Sequence, residues 1–238
     1  MLNPQDSLSL FTANGGQFLV SPEILFEKAS GIRAYLFDWD GVFTNGSKFP
    51  DGSSPFSELD SMGLNLLRFG HWLRYQGDFA FVGIMTGERN PSSVYFAQRE
   101  HLDAVYFRIK NKGEALQHLL QKYNLQAEEV AFVFDDVLDL SVAAVAGLRL
   151  MVRRNAAPLF AEYVKSKQLA DYTTTNETHS VREMCELMLG LQGNFTEVVD
   201  KRSQFSAEYA TYFASRNQRP TTFFTKENDQ IIEVEGAL

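Results

Sequence analysis

Apolar runs of strand length alternate along this chain with segments whose hydrophobic positions recur every three to four residues, and Gly, Pro and Asn mark the joints. The runs predict strands over 34–38, 80–85, 104–107, 130–134 and 148–152. The amphipathic segments predict helices over 63–75, 91–100, 112–123, 138–146, 157–167 and 181–191, and the turn-rich stretch 42–56 predicts a β-hairpin. Alternation of this kind builds an α/β fold, a parallel sheet covered by helices. No internal repeat or low-complexity tract breaks the pattern. Residues 31–193 read as the domain proper and 1–30 as an N-terminal extension. Residues 194–238 read as a C-terminal extension, with a mixed polar and aromatic helix over 196–216 and a tail led by Pro220.

With 238 residues and 45% hydrophobic content, the chain suits one domain of ordinary size with extensions. A formal net charge of −8, with no cluster of Lys or Arg, argues against a nucleic-acid or anionic-membrane surface. No segment approaches the ~20 apolar residues of a membrane-spanning helix. The first residues lack the basic start and apolar stretch of a signal peptide. The lone Cys185 sits in an amphipathic stretch and reads as core filling; together these features predict a cytoplasmic protein. His71, His101, His118 and His179 have no metal-type spacing, so each reads as structural or surface.

Ligands of open parallel sheets bind outside the carboxyl ends of the strands, and polar residues collect there. The first strand runs into Asp38-Trp39-Asp40-Gly41. Carboxylates at i and i+2 of an extended chain point the same way and repel unless a cation or a shared proton relieves them. An Asx turn closed by Gly41 is the plainer reading of the same residues. The second strand ends in Thr86-Gly87, a turn that either holds a phosphate or simply caps the next helix. Lys112 opens a helix at its positive end, where a nearby anion would compensate a cation. The fourth strand ends in Asp135-Asp136-Val137-Leu138-Asp139. Three acids within one turn call for a cation or a lysine, and a hard, oxygen-rich site suits Mg²⁺ better than zinc.

In this order, Asp-x-Asp-Gly, Thr-Gly, Lys and Asp-Asp-x-x-Asp, each after an apolar strand, the chain resembles the haloacid dehalogenase (HAD) superfamily of phosphotransfer enzymes. A bacterial response-regulator receiver uses similar residues but places its phosphoacceptor Asp on a later strand than its acidic pair. The spacing from Leu36 to Gly46, followed by Asp60-Ser61-Met62-Gly63-Leu64, is similar to that of the 3-deoxy-D-manno-octulosonate 8-phosphate phosphatases. Related C-terminal domains of some acylneuraminate cytidylyltransferases share it. The resemblance implies a Rossmann-like, capless domain whose active site is covered by neighbouring subunits of a homo-tetramer. It makes Asp38 the nucleophile that forms an aspartyl-phosphate, and Asp40 the general acid and base. Mg²⁺ would be held by the Asp38 carboxylate, the Asp40 backbone carbonyl and Asp135, with Asp136 in support. Thr86, Gly87 and Lys112 would bind the phosphoryl oxygens, and Asp139 would orient Lys112.

The chain departs from that family's pattern at defined positions. Phe134 replaces the usual Gly before the acidic pair and is expected to crowd the metal loop. Thr86-Gly87-Glu88 replaces Thr-Gly-Arg, with Arg89 displaced by one; Leu59 and the stretch Asn176-Glu177-Thr178-His179 stand where arginines are usual. Arg recognises carboxylates through planar, bidentate contacts. The expected activity is therefore a Mg²⁺-dependent phosphomonoesterase on a small phosphorylated metabolite, sugar or sugar-acid phosphate-like, with a carboxylate-free sugar phosphate favoured. Glu88 would either enter the pocket or pair with Arg89 at the surface. The alternative is a catalytically idle binding or oligomerisation module, for which Tyr209, Tyr212, Phe213, Phe223 and Phe224 offer a docking stripe unless they pack on their own domain. Trp39 is expected to pack beneath the loop.

Overall fold

The computed structural model describes residues 3–235; the outer ends of the two predicted extensions, residues 1–2 and 236–238, lie outside the described residues. The chain opens with α1 (Pro4–Ala13), β1 (Gln17–Phe18), α2 (Pro22–Ser30) and β2 (Ala34–Phe37). There follow α3 (Glu58–Arg74), β3 (Phe81–Met85), α4 (Pro91–Glu100), β4 (Ala104–Tyr106), α5 (Lys112–Tyr123) and β5 (Val130–Phe134). Next come α6 (Leu140–Ala143), β6 (Leu148–Met151), α7 (Pro158–Ser166), β7 (Tyr172–Thr173) and α8 (Ser180–Gln192). The chain ends in α9 (Phe195–Ser203), α10 (Ala207–Arg216), β8 (Thr222–Glu227) and β9 (Gln230–Val234).

One nine-stranded sheet runs through the molecule in the order β1-β7-β6-β5-β2-β3-β4-β8-β9. All pairings are parallel except those at the two edges, β1 with β7 and β8 with β9. Strand alternation divides the core. Tyr35 and Phe37 of β2 face one cluster, packed under α1–α4 and α8–α10; Ala34 and Leu36 face the other, under α5–α7. Burial on both faces explains why the central strands read as unbroken apolar runs. Tight helix packing also shows in the sequence: a Cβ on Gly63 of α3 would come within 2.8 Å of the Arg182 Cα of α8, so only Gly allows this approach.

The predicted hairpin over 42–56 does not form; the segment consists of turns and bends with no strand. Its side chains compete for the backbone N–H groups that a ladder would use: Asn45 Oδ1 accepts from Ser47 N at 2.9 Å, and Asp51 Oδ1 from Ser53 N at 2.9 Å. The predicted helix over 138–146 begins instead as a 3₁₀ turn at Val137–Asp139, closed by Asp136 and Asp139, and only α6 is α-helical. The single helix expected over 196–216 is two, because Phe205 turns left-handed at φ 50° and Ser206 caps a new start.

The tail led by Pro220 forms β8 and β9, and β8 continues the sheet from β4. The aromatic stripe is mostly internal: Tyr209, Tyr212, Phe223 and Phe224 are buried, and Tyr212 packs against Phe69 and Phe79. Phe213 is the exposed member. Phe134 stacks on Phe132, ring centroids 5.8 Å apart, and fills the core under α5–α7 instead of crowding the acidic turn. Cys185 is core filling, its thiol pushed up by burial. Among the described residues no helix is long and apolar enough to cross a membrane.

His71 makes the core sensitive to acid. It is buried on α3 against Tyr35 and Tyr75, and burial lowers its pKa from 6.5 to about 4. Because the unfolded chain takes up this proton first, the contribution is complete above pH 6.5 and is lost as pH falls towards 4. The shift corresponds to about 3 kcal/mol. Urea unfolding of His71→Leu, compared with wild type at pH 7 and pH 4.5, should show a smaller acid loss in the variant. Equal losses would rule out His71 as the cause.

Candidate active site

Strand register brings the polar strand ends together. In the parallel pairs Phe37 lies opposite Ile84 of β3 and Val133 of β5. Asp38 is therefore level with Met85 and Phe134, and Thr86 and Asp135 each emerge one residue further along on either side. Chain order reverses here, since β3 leaves β2 to one side and β5 joins it on the other, which opens the crevice that ligands of such sheets use.

Asp38 is buried, and its Oδ1 accepts from the Trp39 amide at 2.7 Å and pairs with Lys112 Nζ at 2.6 Å. Lys112 begins α5, is 3% exposed, and also donates to Asp139 Oδ1 at 2.5 Å. Asp139 Oδ2 accepts the amides of Asp135 and Asp136, at 3.3 and 3.2 Å, so this residue ties the lysine to the acidic turn. Burial pushes the Asp38 carboxyl up against the pull of Lys112, and Asp139 adds to the rise. Burial pulls the Lys112 ammonium down, but Asp38 and Asp139 outweigh it and the net shift is upward.

Asp135 sits across from this pair. Its Oδ2 meets Arg154 Nε at 3.4 Å, while its Oδ1 is buried with no hydrogen-bond partner. Burial, reinforced by Asp139, raises its pKa to about 7. One carboxylate oxygen from each of Asp38, Asp135 and Asp139 lies within 4.8 Å of the others. Three carboxylates, one of which carries an oxygen with no hydrogen-bond partner, fit a divalent cation such as Mg²⁺. Gly41, at φ 89°, makes the turn beside them possible, because a Cβ there would fall 1.8 Å from Asp135 Oδ2. Among the described residues the histidines join no such cluster.

The remaining predicted residues are arranged around this centre. Asp40 lies at the half-buried rim, where its Oδ2 pairs with Lys48 Nζ at 2.8 Å and its Oδ1 faces Asn90 Nδ2 at 3.4 Å. Thr86 is buried, its amide fixed by Tyr106 O at 2.8 Å, and Gly87 opens the turn ahead of α4. Asp136 is exposed beside Asp135, and its Oδ1 accepts from its neighbour Val137 N at 2.7 Å. Glu88 is exposed. Trp39 is fully buried, stacked on Phe43 with its Nε1 donating to Ser54 Oγ at 3.0 Å.

Lys48, Asn90 and Arg154 are absent from the sequence prediction. Arg154 donates to the carbonyls of Gly41, Thr44 and Glu177, binding the Asp40 loop to the segment before α8. It follows the apolar run ending at Val152, so the strand-end reasoning that found Thr86 applies to it equally. Lys48 carried no such signal, being a lone cation in a turn-rich loop.

No protein-family model matches the chain. It is 30% identical over 181 residues to the 3-deoxy-D-manno-octulosonate 8-phosphate phosphatase KdsC of Salmonella typhimurium, across 75% of this chain and 89% of that one. The KdsC of Escherichia coli K12 is 30% identical over 182 residues with the same coverage. Among solved structures, the 3-deoxy-D-manno-octulosonate 8-phosphate phosphatase of Moraxella catarrhalis, in complex with magnesium ion, phosphate ion and KDO, superposes with a TM-score of 0.62 at 25% identity. That match covers 76% of this chain and 99% of the other.

Proposed function

The chain belongs to the KdsC-like phosphatases of the HAD superfamily, and from this we propose that it is a Mg²⁺-dependent phosphomonoesterase acting on a phosphorylated sugar or sugar acid through an aspartyl-phosphate. The observation that carries the reading is the Asp38–Lys112–Asp139 bridge beside an Asp135 oxygen that has no protein partner. Mg²⁺ would be held by the carboxylates of Asp38 and Asp135 and the backbone carbonyl of Asp40, with Asp136 in support. When bound, it would neutralise charge between an anionic nucleophile and an anionic phosphate.

The protein's own groups carry the reaction. Asp38 attacks phosphorus, and the bond from phosphorus to the ester oxygen breaks while Asp40 supplies a proton to the departing oxygen. Asp40 then takes a proton from water as the water oxygen displaces Asp38 from phosphorus. Lys112 and the Thr86-Gly87 turn hold the phosphoryl oxygens, where charge stabilisation has the greatest effect on rate. Asp139 keeps Lys112 in place.

The single buried cysteine suits a reducing cytoplasm, and the resemblance implies a homo-tetramer, which light scattering on the purified protein would test. The idle-module alternative loses the aromatic stripe that argued for it, since most of that stripe is internal. The deciding measurement is phosphate release from a panel of sugar, sugar-acid and nucleotide monophosphates, with and without Mg²⁺. Metal-dependent turnover is expected, and calorimetry should show Mg²⁺ binding that disappears in Asp135→Asn. Metal-independent release, or undiminished Mg²⁺ binding by that variant, would refute the assignment.

A further inference from the structure

The loop between Asp40 and Ser57 carries a single lysine, Lys48, and it reaches back to the acidic pair, 2.8 Å from Asp40 Oδ2. The other Asp40 oxygen faces Asn90, which is fully buried and fixed in place. Asn90 Oδ1 accepts from Ser92 N at 2.9 Å, capping α4, and its Nδ2 donates to Ser54 Oγ at 2.8 Å. The Asp40 end of the loop is pinned as well. Thr44 Oγ1 accepts from Gly41 N and Gly46 N, and Arg154 donates to the carbonyls of Gly41 and Thr44. A segment without strand structure thus delivers one ammonium group to one carboxylate. Each member of the Asp-x-Asp pair has its own lysine: Lys112 for Asp38 and Lys48 for Asp40.

We propose that Lys48 is a positioning residue, which aims the Asp40 carboxyl at the leaving oxygen and so lets the enzyme turn over esters of poorly leaving alcohols. The inference rests on the phosphomonoesterase reading above. The step it serves is the one in which the bond from phosphorus to the ester oxygen breaks, the Asp38 oxygen bonds phosphorus, and the proton on Asp40 passes to the departing oxygen. Asn90 alone is a poor substitute, because its 3.4 Å contact lies beyond the range of a good hydrogen bond. Lys48 is a third exposed, and ion pairs of that kind contribute little to folding. Its removal should therefore appear in the chemistry and leave the melting temperature unchanged.

The test compares Lys48→Met and Lys48→Arg with wild type on two esters. One is the alkyl phosphate the enzyme turns over best; the other is p-nitrophenyl phosphate, whose phenolate leaves without a proton. In pre-steady-state release of alcohol or p-nitrophenolate, which precedes the water step that Asp40 also serves, Lys48→Met should slow the alkyl phosphate by roughly 100-fold and leave p-nitrophenyl phosphate within about threefold of wild type, with KM little changed. Lys48→Arg should restore most of the loss. An equal loss on both esters, a change confined to KM, or no change would overturn the role of Lys48. Absence of release from either ester by wild type would overturn the phosphomonoesterase reading and this inference with it.

Discussion

Asp38→Asn should abolish phosphate release while leaving the fold intact. An amide has no anionic oxygen to attack phosphorus, and loss of a nucleophile costs on the order of 10⁴-fold or more in kcat. Folding responds differently. The Asn oxygen can still accept from the Trp39 amide and from Lys112, the two contacts that Asp38 Oδ1 makes now. Burial already disfavours the Asp38 charge, so a neutral side chain of the same shape removes an electrostatic cost instead of adding one. The melting temperature of the variant should therefore equal or exceed that of wild type. Acid quenching during turnover of a radiolabelled phosphate ester adds a second readout: wild type should retain covalent label and Asp38→Asn none. Undiminished turnover in the variant would remove Asp38 as the nucleophile.

The sequence predicted best where one side chain's environment is set by its immediate strand. Asp38, Thr86 and Asp135 follow apolar runs whose burial on both faces forces a parallel sheet, and register alone then brings their backbones together. Lys112 was legible by contradiction, since a cation at a helix N-terminus needs nearby anions. The remaining features depend on chain path through irregular segments. Lys48 reaches Asp40 from the irregular loop over 42–56, where Asn and Asp side chains accept backbone donors that a hairpin ladder would use. The tail led by Pro220 has strand-like alternation too short to distinguish from an extended linker, and it becomes β8 because the open edge of β4 accepts it. The apparent docking stripe is mostly core: Phe223 and Phe224 enter with β8, and Tyr209 and Tyr212 of α10 cover α3 beside Phe69.

Lys112→Met should be the most destabilising single substitution at the site. The helix macrodipole opposes a cation at this position by only about 0.3–1 kcal/mol. Its removal leaves Asp38 and Asp139, both buried, facing each other without a counter-charge. Breaking a buried ion pair from one side costs roughly 3–5 kcal/mol, several times the dipole effect, so the pair decides the sign. Methionine nearly preserves the length of the side chain, which makes the loss electrostatic and not a cavity effect. Urea unfolding without Mg²⁺ should record that loss. Adding Asp139→Asn to the variant should return much of the stability by removing one of the stranded charges, while its amide oxygen can still accept from Asp135 N and Asp136 N. Activity should stay low in both variants, because the phosphoryl oxygens would still lack their ammonium group. A Lys112→Met protein within about 1 kcal/mol of wild type would mean that the two carboxylates share a proton and that Lys112 is not needed to hold them together.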